Sequence, residues 1–188
     1  MKHYIEWGEL RAIEATLDEV RAHAHALSLG YNEPRNAELM GHTSDITPDE
    51  VIQTYTEGIE KGVRPFLLFE GTALCGDADL RGLRDDSAEF AFMIAAPSAQ
   101  GKGLGTRFAL MIHAWGFTAL RVNTIYASIV PHNTASRRVF EKLGYVVDSS
   151  PEARAYADEP DDVTLALARE GFLRRHAETL PQIGMGIR

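Results

Sequence analysis

A glycine-rich loop places the strongest constraint on the fold of this chain. Three glycines alternate at positions 101, 103 and 105 of the segment Gln100–Gly105, and a segment with helical periodicity follows directly. Because glycine lacks a Cβ and readily adopts positive φ, successive N–H groups of such a loop can turn toward one concavity. The dipole of the following helix adds positive potential at the same point. The pattern therefore predicts an anion-binding loop, with a phosphate group as its natural occupant.

The spacing of this loop separates it from two common nucleotide-binding loops. Lys102 does not stand in the order G-x-x-x-x-G-K-S/T of a nucleoside-triphosphate loop. Thr106 and Phe108 occupy the places where the Rossmann pattern G-x-G-x-x-G needs its last glycine. From these residues alone, one other interpretation stays open, in which the glycines merely form a tight turn.

The segments around the loop predict a βαβ unit. Residues Glu89–Ile94 and Val122–Val130 are apolar runs typical of buried strands. Between them, the apolar positions of a helix packed on a sheet recur at Phe108, Met111, Ile112 and Trp115. Because such crossovers join parallel strands, we expect the loop to lie at the carboxyl end of a strand.

The rest of the chain predicts a mixed α+β fold. Capping-box patterns start helices at Thr16–Glu19, with an end at Gly30, and at Thr47–Glu50. Residues 31–46 and 148–162 are predicted to be loops. Strands are predicted at 4–15, 65–69, 73–76, 145–147 and 163–167, and a further helix at 134–143 that ends at Gly144. Together these elements give a mixed, mostly antiparallel central sheet flanked by helices, with the βαβ crossover at its centre.

Composition restricts the classes of protein to consider. The chain has 188 residues, 45% of them hydrophobic, and lacks a linker-like stretch, so we expect one domain over residues 1–188. A formal net charge of −8 argues against a nucleic-acid partner. It suits a cationic substrate, although an acidic balance more often serves solubility alone. Cys75 has no second cysteine to pair with, and neither a signal peptide nor a membrane-spanning run is evident. We therefore expect a cytoplasmic protein without membrane partners. The histidines show no metal-ligand spacing, so no metal is expected.

Two motifs in sequence order carry a resemblance to a known family. Gln100-x-x-Gly103-x-Gly105 after an apolar strand resembles the acetyl-CoA loop of the GCN5-related N-acetyltransferase (GNAT) superfamily, Q/R-x-x-G-x-G/A. The segment Asn133–Tyr145, with a small residue three after the asparagine and a leucine-glycine-aromatic end, resembles the second cofactor segment of that superfamily. In detail the chain looks most like the branch that acetylates N-terminal amines of ribosomal proteins, and members of that branch also act on small amines.

The resemblance implies an acyl-CoA N-acyltransferase-like fold with a cofactor core at about 89–145. It also implies direct transfer of an acetyl group from acetyl-CoA, as cosubstrate, to a primary amine on a peptide N-terminus or a small molecule. Homodimers are common among such proteins. The cofactor-binding residues implied are Met93, Ile94, Ala95, Gln100, Gly101, Lys102, Gly103, Leu104, Gly105, Thr106, Asn133, Ser136, Arg138 and Phe140. Asn133 is equally suited to an ordinary role as the N-cap of the helix after it.

The reaction needs a base, because an alkyl ammonium is protonated at neutral pH. Glu89 stands among apolar strand residues, an environment that raises a carboxyl pKa, and we predict that it is this base. A solvent-facing glutamate at a strand end is the alternative. Asp77 and Asp79, on the preceding predicted strand, are candidates for binding a cationic substrate.

The chain departs from the commoner superfamily pattern at Phe140. Many members carry a tyrosine there that protonates the departing thiolate, which phenylalanine cannot do. Ser136, one helical turn earlier, is the candidate hydrogen-bond donor to the sulfur. Two other functions stay open at this point: a non-catalytic acyl-CoA-binding module, and a nucleotide-binding domain that uses the same loop.

Overall fold

The computed structural model describes residues 1–41, 45–95 and 97–188. Its strands are β1 (His3–Trp7), β2 (Leu10–Glu14), β3 (Arg64–Glu70), β4 (Ala73–Arg81), β5 (Ser87–Ile94), β6 (Thr124–Ile129), β7 (Val146–Val147), β8 (Val163–Ala168) and β9 (Gly184–Ile187). Its α-helices are α1 (Leu17–Tyr31), α2 (Pro34–Met40), α3 (Pro48–Glu60), α4 (Leu104–Trp115), α5 (Thr134–Leu143), α6 (Pro151–Arg154) and α7 (Arg169–Arg175). Short 3-10 turns lie at Pro97–Ala99 and Leu180–Gln182, and a π-helical turn at Gly116–Leu120 extends α4.

The strands form a nine-stranded sheet in the order β7-β8-β6-β5-β4-β3-β2-β1-β9. Strands β5 and β6 pair in parallel, whereas the other neighbouring strands of the described sheet pair antiparallel. Helix α4 connects the parallel pair, as the βαβ pattern predicts. The mixed, mostly antiparallel α+β fold and its central crossover are confirmed.

Helices cover both faces of the sheet. On one face, α1 and α3 bury Val20, Leu27 and Val51 against side chains of β3 such as Leu67 and Phe69. On the other face, Phe108 and Trp115 of α4 and Phe140 of α5 pack in one cluster with Phe66 and Phe90 of the sheet. Each large apolar side chain removed from water contributes about 1.5–3 kcal/mol, so these two layers hold the sheet rigidly between them.

Several predicted boundaries were wrong. The first predicted strand is a hairpin, because Gly8 at φ +62° turns the chain between β1 and β2. Helix α1 passes through Gly30 and is capped at Asn32. A Cβ at Gly30 would lie 2.4 Å from Cβ of Ala95, so this glycine allows close packing and does not end the helix. The predicted loop at 31–46 contains α2, and its residues 42–44 lie outside the described residues.

The C-terminal part adds elements that the sequence pattern did not predict. Helix α6 lies within the predicted loop at 148–162, and α7 follows β8. The last strand, β9, pairs antiparallel with β1 and so extends the sheet beyond the N-terminal hairpin. Within the described ranges, no helix combines the length and the apolarity that crossing a bilayer requires.

The buried carboxylate of Glu14, at the end of β2, connects β2 to the neighbouring strands β1 and β3. Its carboxylate is 1% exposed, accepts a hydrogen bond from Arg64 Nε at 2.7 Å and contacts His3 Nδ1 at 2.8 Å. Burial alone would raise the pKa of Glu14, but the hydrogen bonds from Arg64 and His3 outweigh it and lower the pKa to about 2.

We expect Glu14→Gln to destabilise the fold by about 3 kcal/mol at neutral pH, because Arg64 would lose its buried anionic partner. A depressed carboxyl pKa stabilises the folded state above the unfolded pKa, and this contribution disappears as the pH falls through the folded value near 2. Urea unfolding at several pH values measures this dependence. The difference between wild type and variant should shrink from about pH 4 downward, and a difference that is independent of pH would contradict it.

Candidate active site

The two parallel strands at the centre of the sheet diverge. Their pairing covers Ser87–Glu89 of β5 and Thr124–Tyr126 of β6. Beyond that, β5 stays with β4 as far as Ile94, whereas β6 stays with β8 as far as Ile129. A gap therefore opens in the sheet at the carboxyl ends of β5 and β6, where the glycine loop also lies.

A cavity of about 1190 Å³ occupies this gap. Most of the cofactor residues implied by the sequence resemblance lie on its wall: Met93, Ile94, Gln100, Gly101, Gly103, Leu104, Gly105, Thr106, Asn133, Ser136, Arg138 and Phe140. Three other predicted site residues lie elsewhere. Ala95 is buried and would contact a Cβ at Gly30, Lys102 is exposed, and Glu89 is buried outside the cavity lining.

The glycine loop has the geometry of an anion nest. Gly101 and Gly103 have φ of +74° and +78°, and a Cβ at either would meet no atom within 4 Å. Gly103 is the N-cap of α4, and no side chain in the described chain caps this helix. Its first N–H groups and its positive dipole end therefore face the cavity, an arrangement that suits a phosphate group.

The third glycine of the loop has a packing role. A Cβ at Gly105 would lie 3.2 Å from the ring of Phe92 and 3.7 Å from Val139. Gly105 therefore lets the start of α4 approach both β5 and α5 closely. This approach brings the nest to the gap between the strands.

Gln100 fastens the loop to two other elements. Its Nε2 donates to the Ile94 carbonyl at 2.9 Å and to Asn36 Oδ1 at 3.2 Å. Asn36, on α2, is 6% exposed and donates to the Gly30 carbonyl at 2.8 Å. Gln100 thus positions the nest relative to β5, and Asn36 is a positioning residue that the sequence pattern did not identify.

The second predicted cofactor segment forms α5 on the opposite side of the nest. Asn133 Oδ1 accepts a hydrogen bond from the Ser136 N–H at 3.0 Å, so the N-cap role of Asn133 is confirmed. Ser136 is half-buried on the cavity wall. Phe140 is 3% exposed and packs edge-on against Phe92, with ring centroids 6.0 Å apart. This part of the cavity wall is therefore apolar.

A buried tyrosine that packs on Phe140 has its hydroxyl group committed to another partner. Tyr145 packs on Phe140, with centroids 4.9 Å apart, and its Oη lies 2.6 Å from His113 Nε2. His113 Nδ1 lies 2.6 Å from the Ala109 carbonyl, which can only accept, so Nδ1 carries the proton and Tyr145 donates to Nε2. Burial lowers the pKa of His113 to about 3. The hydroxyl proton of Tyr145 is therefore held within this buried, neutral pair.

The other face of the gap is lined by carboxylates. Asp77 and Asp79 of β4 lie beside Met93 and Ala91 of β5, and Asp158, Glu159 and Asp162 follow α6. Asp77 Oδ2 accepts hydrogen bonds from Tyr31 Oη at 2.5 Å and from Tyr55 Oη at 2.6 Å. We call this set of five acidic residues the acidic wall.

Asp79 has the properties of a proton acceptor near neutral pH. Burial raises the pKa of Asp79 to about 7; Arg81 opposes this shift, and the charges of Asp77, Glu89 and Asp158 add to it. Its Oδ1 is buried without a hydrogen-bond partner among the described residues, 3.7 Å from Arg81 Nε. A buried carboxyl group that lines a cavity and has an oxygen without a hydrogen-bond partner is a candidate base.

Glu89, the predicted base, lies in an ion pair. Arg81 Nε donates to Glu89 Oε2 at 3.1 Å, and Arg81 Nη2 to Oε1 at 3.3 Å. Burial raises the pKa of Glu89, and Arg81 counteracts this effect. Both oxygens of Glu89 are thus engaged by a guanidinium that itself lines the cavity.

The comparison with protein families identifies the fold. The model of the acetyltransferase (GNAT) domain matches residues 10–146, which include β2 to β6, α5 and the whole glycine loop. The chain therefore belongs to the GNAT acetyltransferase family.

Similar proteins include enzymes with different acceptors. An N-acetyltransferase 9-like protein of Nematostella vectensis is 40% identical over 65 residues, 35% of this chain and 33% of that protein. Spermidine N(1)-acetyltransferase of Escherichia coli K12 is 38% identical over 61 residues, 32% of each chain. The matches thus span about a third of these relatives. The structure of ribosomal-protein-S5-alanine acetyltransferase from Vibrio fischeri is similar, with a TM-score of 0.71 and 16% identity, over 90% of this chain and 98% of that one.

Proposed function

We propose that the protein is an N-acetyltransferase that moves an acetyl group from acetyl-CoA to a primary amine. The observation that carries the proposal is the continuity of the cavity: one cavity has the phosphate-binding nest on its wall as well as the acidic wall. Phosphates and a cationic amine are complementary to these two linings, and the gap between β5 and β6 lies between them. Family membership and the relatives named as N-acetyltransferases support the same activity.

Different residues of the chain bind different parts of acetyl-CoA. The N–H groups at Gly101–Gly105 bind the pyrophosphate, and Arg138 on α5 adds a positive charge on the same cavity wall. The backbone of Met93 and Ile94 at the diverging end of β5 offers hydrogen-bonding groups to the pantetheine arm. Phe92 and Phe140 supply an apolar surface, which keeps water from the thioester.

In the transfer step, the neutral amine nitrogen attacks the thioester carbonyl carbon. A C–N bond forms, the C–S bond breaks, and the electron pair of that bond leaves with sulfur as the thiolate of CoA. The proton that the ammonium loses before the attack goes to a carboxylate of the protein, for which Asp79 and the predicted Glu89 are the candidates. The second proton, which the nitrogen loses as the amide forms, goes to the thiolate of CoA or to water. Ser136, which lines the cavity, is the proposed hydrogen-bond donor to the leaving sulfur. A thiolate can also leave without full protonation because its pKa is moderate.

A test of this function uses purified protein, acetyl-CoA and panels of amines and peptides with free N-termini. We expect release of free CoA, detected with a thiol reagent, together with an acetylated amine whose mass has increased by one acetyl group. Isothermal titration with CoA alone measures binding separately. Binding of CoA without acetyl transfer to any amine would support a non-catalytic acyl-CoA-binding module and overturn the catalytic proposal.

A further inference from the structure

The acidic wall has two ends that lie on different elements. One end consists of Asp77 and Asp79 on β4. The other consists of Asp158 and Asp162, which precede β8 and lie beside Ser128 of β6. Strands β4 and β6 flank β5 on opposite sides, so the two ends of the wall line the cavity from opposite sides of β5.

Asp162 is a buried carboxylate with an unused oxygen. The residue is 6% exposed, and its Oδ2 accepts hydrogen bonds from Ser128 Oγ at 2.7 Å and from the Glu159 N–H at 3.3 Å. Its Oδ1 is buried and has no hydrogen-bond partner among the described residues, although Asp162 lines the cavity. In folded proteins, buried oxygen acceptors normally receive a hydrogen bond. A cationic donor in the cavity would supply the missing hydrogen bond to Oδ1 of Asp162.

The positive charge on this part of the wall does not balance the carboxylates. Arg81 is shared among three carboxylates, two of the wall and the adjacent Glu89, with Nε 3.7 Å from Asp79 and 3.1 Å from Glu89, and Nη2 3.6 Å from Asp158. The other lysines and arginines of the cavity lining lie on or directly after α2, α3 and α5: Arg35, Lys61, Arg138 and Lys142. Carboxylates therefore outnumber positive charges at both ends of the wall.

Hydroxyl groups next to the acidic wall already donate hydrogen bonds to its carboxylates. Tyr31 and Tyr55 donate to Asp77, and Ser128 donates to Asp162. What the wall presents to the cavity is therefore a set of hydrogen-bond acceptors. An alkyl ammonium has donors and no acceptor, whereas a peptide N-terminus brings carbonyl acceptors for which this wall offers little.

We propose that the acceptor substrate is a short aliphatic diamine or polyamine, held at both ends of the acidic wall. The reacting amine lies at Asp77 and Asp79, and a second ammonium group binds Asp162 on the other side of the cavity. This inference rests on the proposed N-acetyltransferase function and specifies its substrate. Specificity arises because a monoamine leaves the buried Asp162 oxygen unpaired.

The first test compares matched substrates on the wild-type protein. Butane-1,4-diamine and butylamine have the same carbon chain and differ by one ammonium group. We expect kcat/KM for the diamine to exceed that for the monoamine by about 30-fold or more, since one buried charge pair is at stake. Equal values for the two amines, or a higher value for a lysine-free peptide with a free N-terminus, would overturn the proposal.

The second test removes the charge of Asp162. Asp162→Asn keeps an oxygen for Ser128 and Glu159 and loses the anion, so the preference for the diamine should fall by about tenfold or more, mainly through a higher KM. Asp161→Asn is the matched control, because Asp161 is the exposed neighbour outside the cavity lining and should leave the preference unchanged. Asp158→Asn, at a side chain that is 60% exposed, gives a variant with little risk to folding and should lower the preference in the same direction.

The outcomes separate this inference from the proposed function. Acetylation of amines with an unchanged diamine preference in both Asp162→Asn and Asp158→Asn would overturn the diamine site and leave the acetyltransferase function intact. Absence of CoA release with every amine, by a protein that is folded in a thermal melt, would refute the function itself. A loss of preference confined to the two variants, with the control unaffected, supports the second ammonium subsite.

Discussion

Gly103→Glu is expected to weaken CoA binding by about 100-fold, because it removes two or more charge-assisted hydrogen bonds. Gly103 is the N-cap of α4, and its Cβ position points into open space. A glutamate there would place a carboxylate at the positive end of the helix, where it competes with phosphate for the same N–H groups and repels it. Isothermal titration with CoA measures the effect.

The fold should tolerate this change. A side chain at φ +78° costs about 1–2 kcal/mol, a fraction of the stability of a typical domain. Gly71→Glu is the matched control, since Gly71 also has positive φ, at +59°, and open space around its Cβ position, and lies in the turn between β3 and β4 outside the cavity lining. The control should bind CoA normally. Wild-type affinity in folded Gly103→Glu would show that the loop does not bind the phosphates.

The nest and the βαβ unit could be predicted because their signals are local. Alternating glycines, the capping boxes at Thr16 and Thr47 and the periodicity of α4 each depend on residues a few positions apart. Helix α2 had local signals too, with Pro34 at its first turn and Gly41 in the left-handed conformation at its end. Because α2 is short and mostly polar, these signals did not stand out from the surrounding loop residues. The role of Asn36, which lies on α2, was therefore not predicted.

The acidic wall could be predicted only in part, because it is assembled by contacts between distant segments. Asp77 and Asp79 were candidates through their place on a predicted strand, but the tyrosines that bind Asp77 come from α1 and α3. Asp162 reaches the gap because β8 pairs with β6, which no local pattern encodes. Pairing of Arg81 with Glu89 likewise depends on the register between β4 and β5.

The register between β4 and β5 also affects which carboxylate can act as the base of the reaction. Strand alternation gave Glu89 the apolar surroundings that raise a carboxyl pKa, and its burial in the structure agrees with that reasoning. The cross-strand partner of Glu89 is Arg81, whose guanidinium engages both carboxylate oxygens. Asp79, two residue pairs away on β4, lines the cavity, and its Oδ1 has no hydrogen-bond partner among the described residues. The geometry therefore favours Asp79 over Glu89 as proton acceptor.

Asp79→Asn is expected to lower kcat/KM at neutral pH by about 10²- to 10³-fold, the usual contribution of a general base. The pKa of Asp79 is raised to about 7, mainly by burial, with Arg81 opposing and Asp77, Glu89 and Asp158 contributing. Only the ionised form accepts a proton, so the wild-type rate should rise with pH through about 7. The tyrosine hydroxyls at Asp77 belong to groups whose pKa is raised well above 10, and they stay neutral over this range.

We expect Asp79→Asn to raise thermal stability although it lowers activity. A carboxyl group whose pKa is raised in the folded state favours folding at low pH, and this contribution is lost as the pH rises through the folded value near 7. Asparagine resembles the neutral form at every pH. We therefore expect Asp79→Asn to melt at a higher temperature than wild type above pH 7, while CoA affinity stays close to normal.

Glu89→Gln provides the comparison that decides between the two carboxylates. If Asp79 is the base, Asp79→Asn abolishes the pH-dependent limb near 7, and Glu89→Gln retains that limb while lowering the rate through a displaced Arg81. If the limb vanishes in Glu89→Gln and persists in Asp79→Asn, Glu89 is the base, as the sequence pattern predicts. Because both variants preserve side-chain shape and lose one negative charge, the contrast between their pH profiles reports proton transfer and not a general change in the field of the acidic wall.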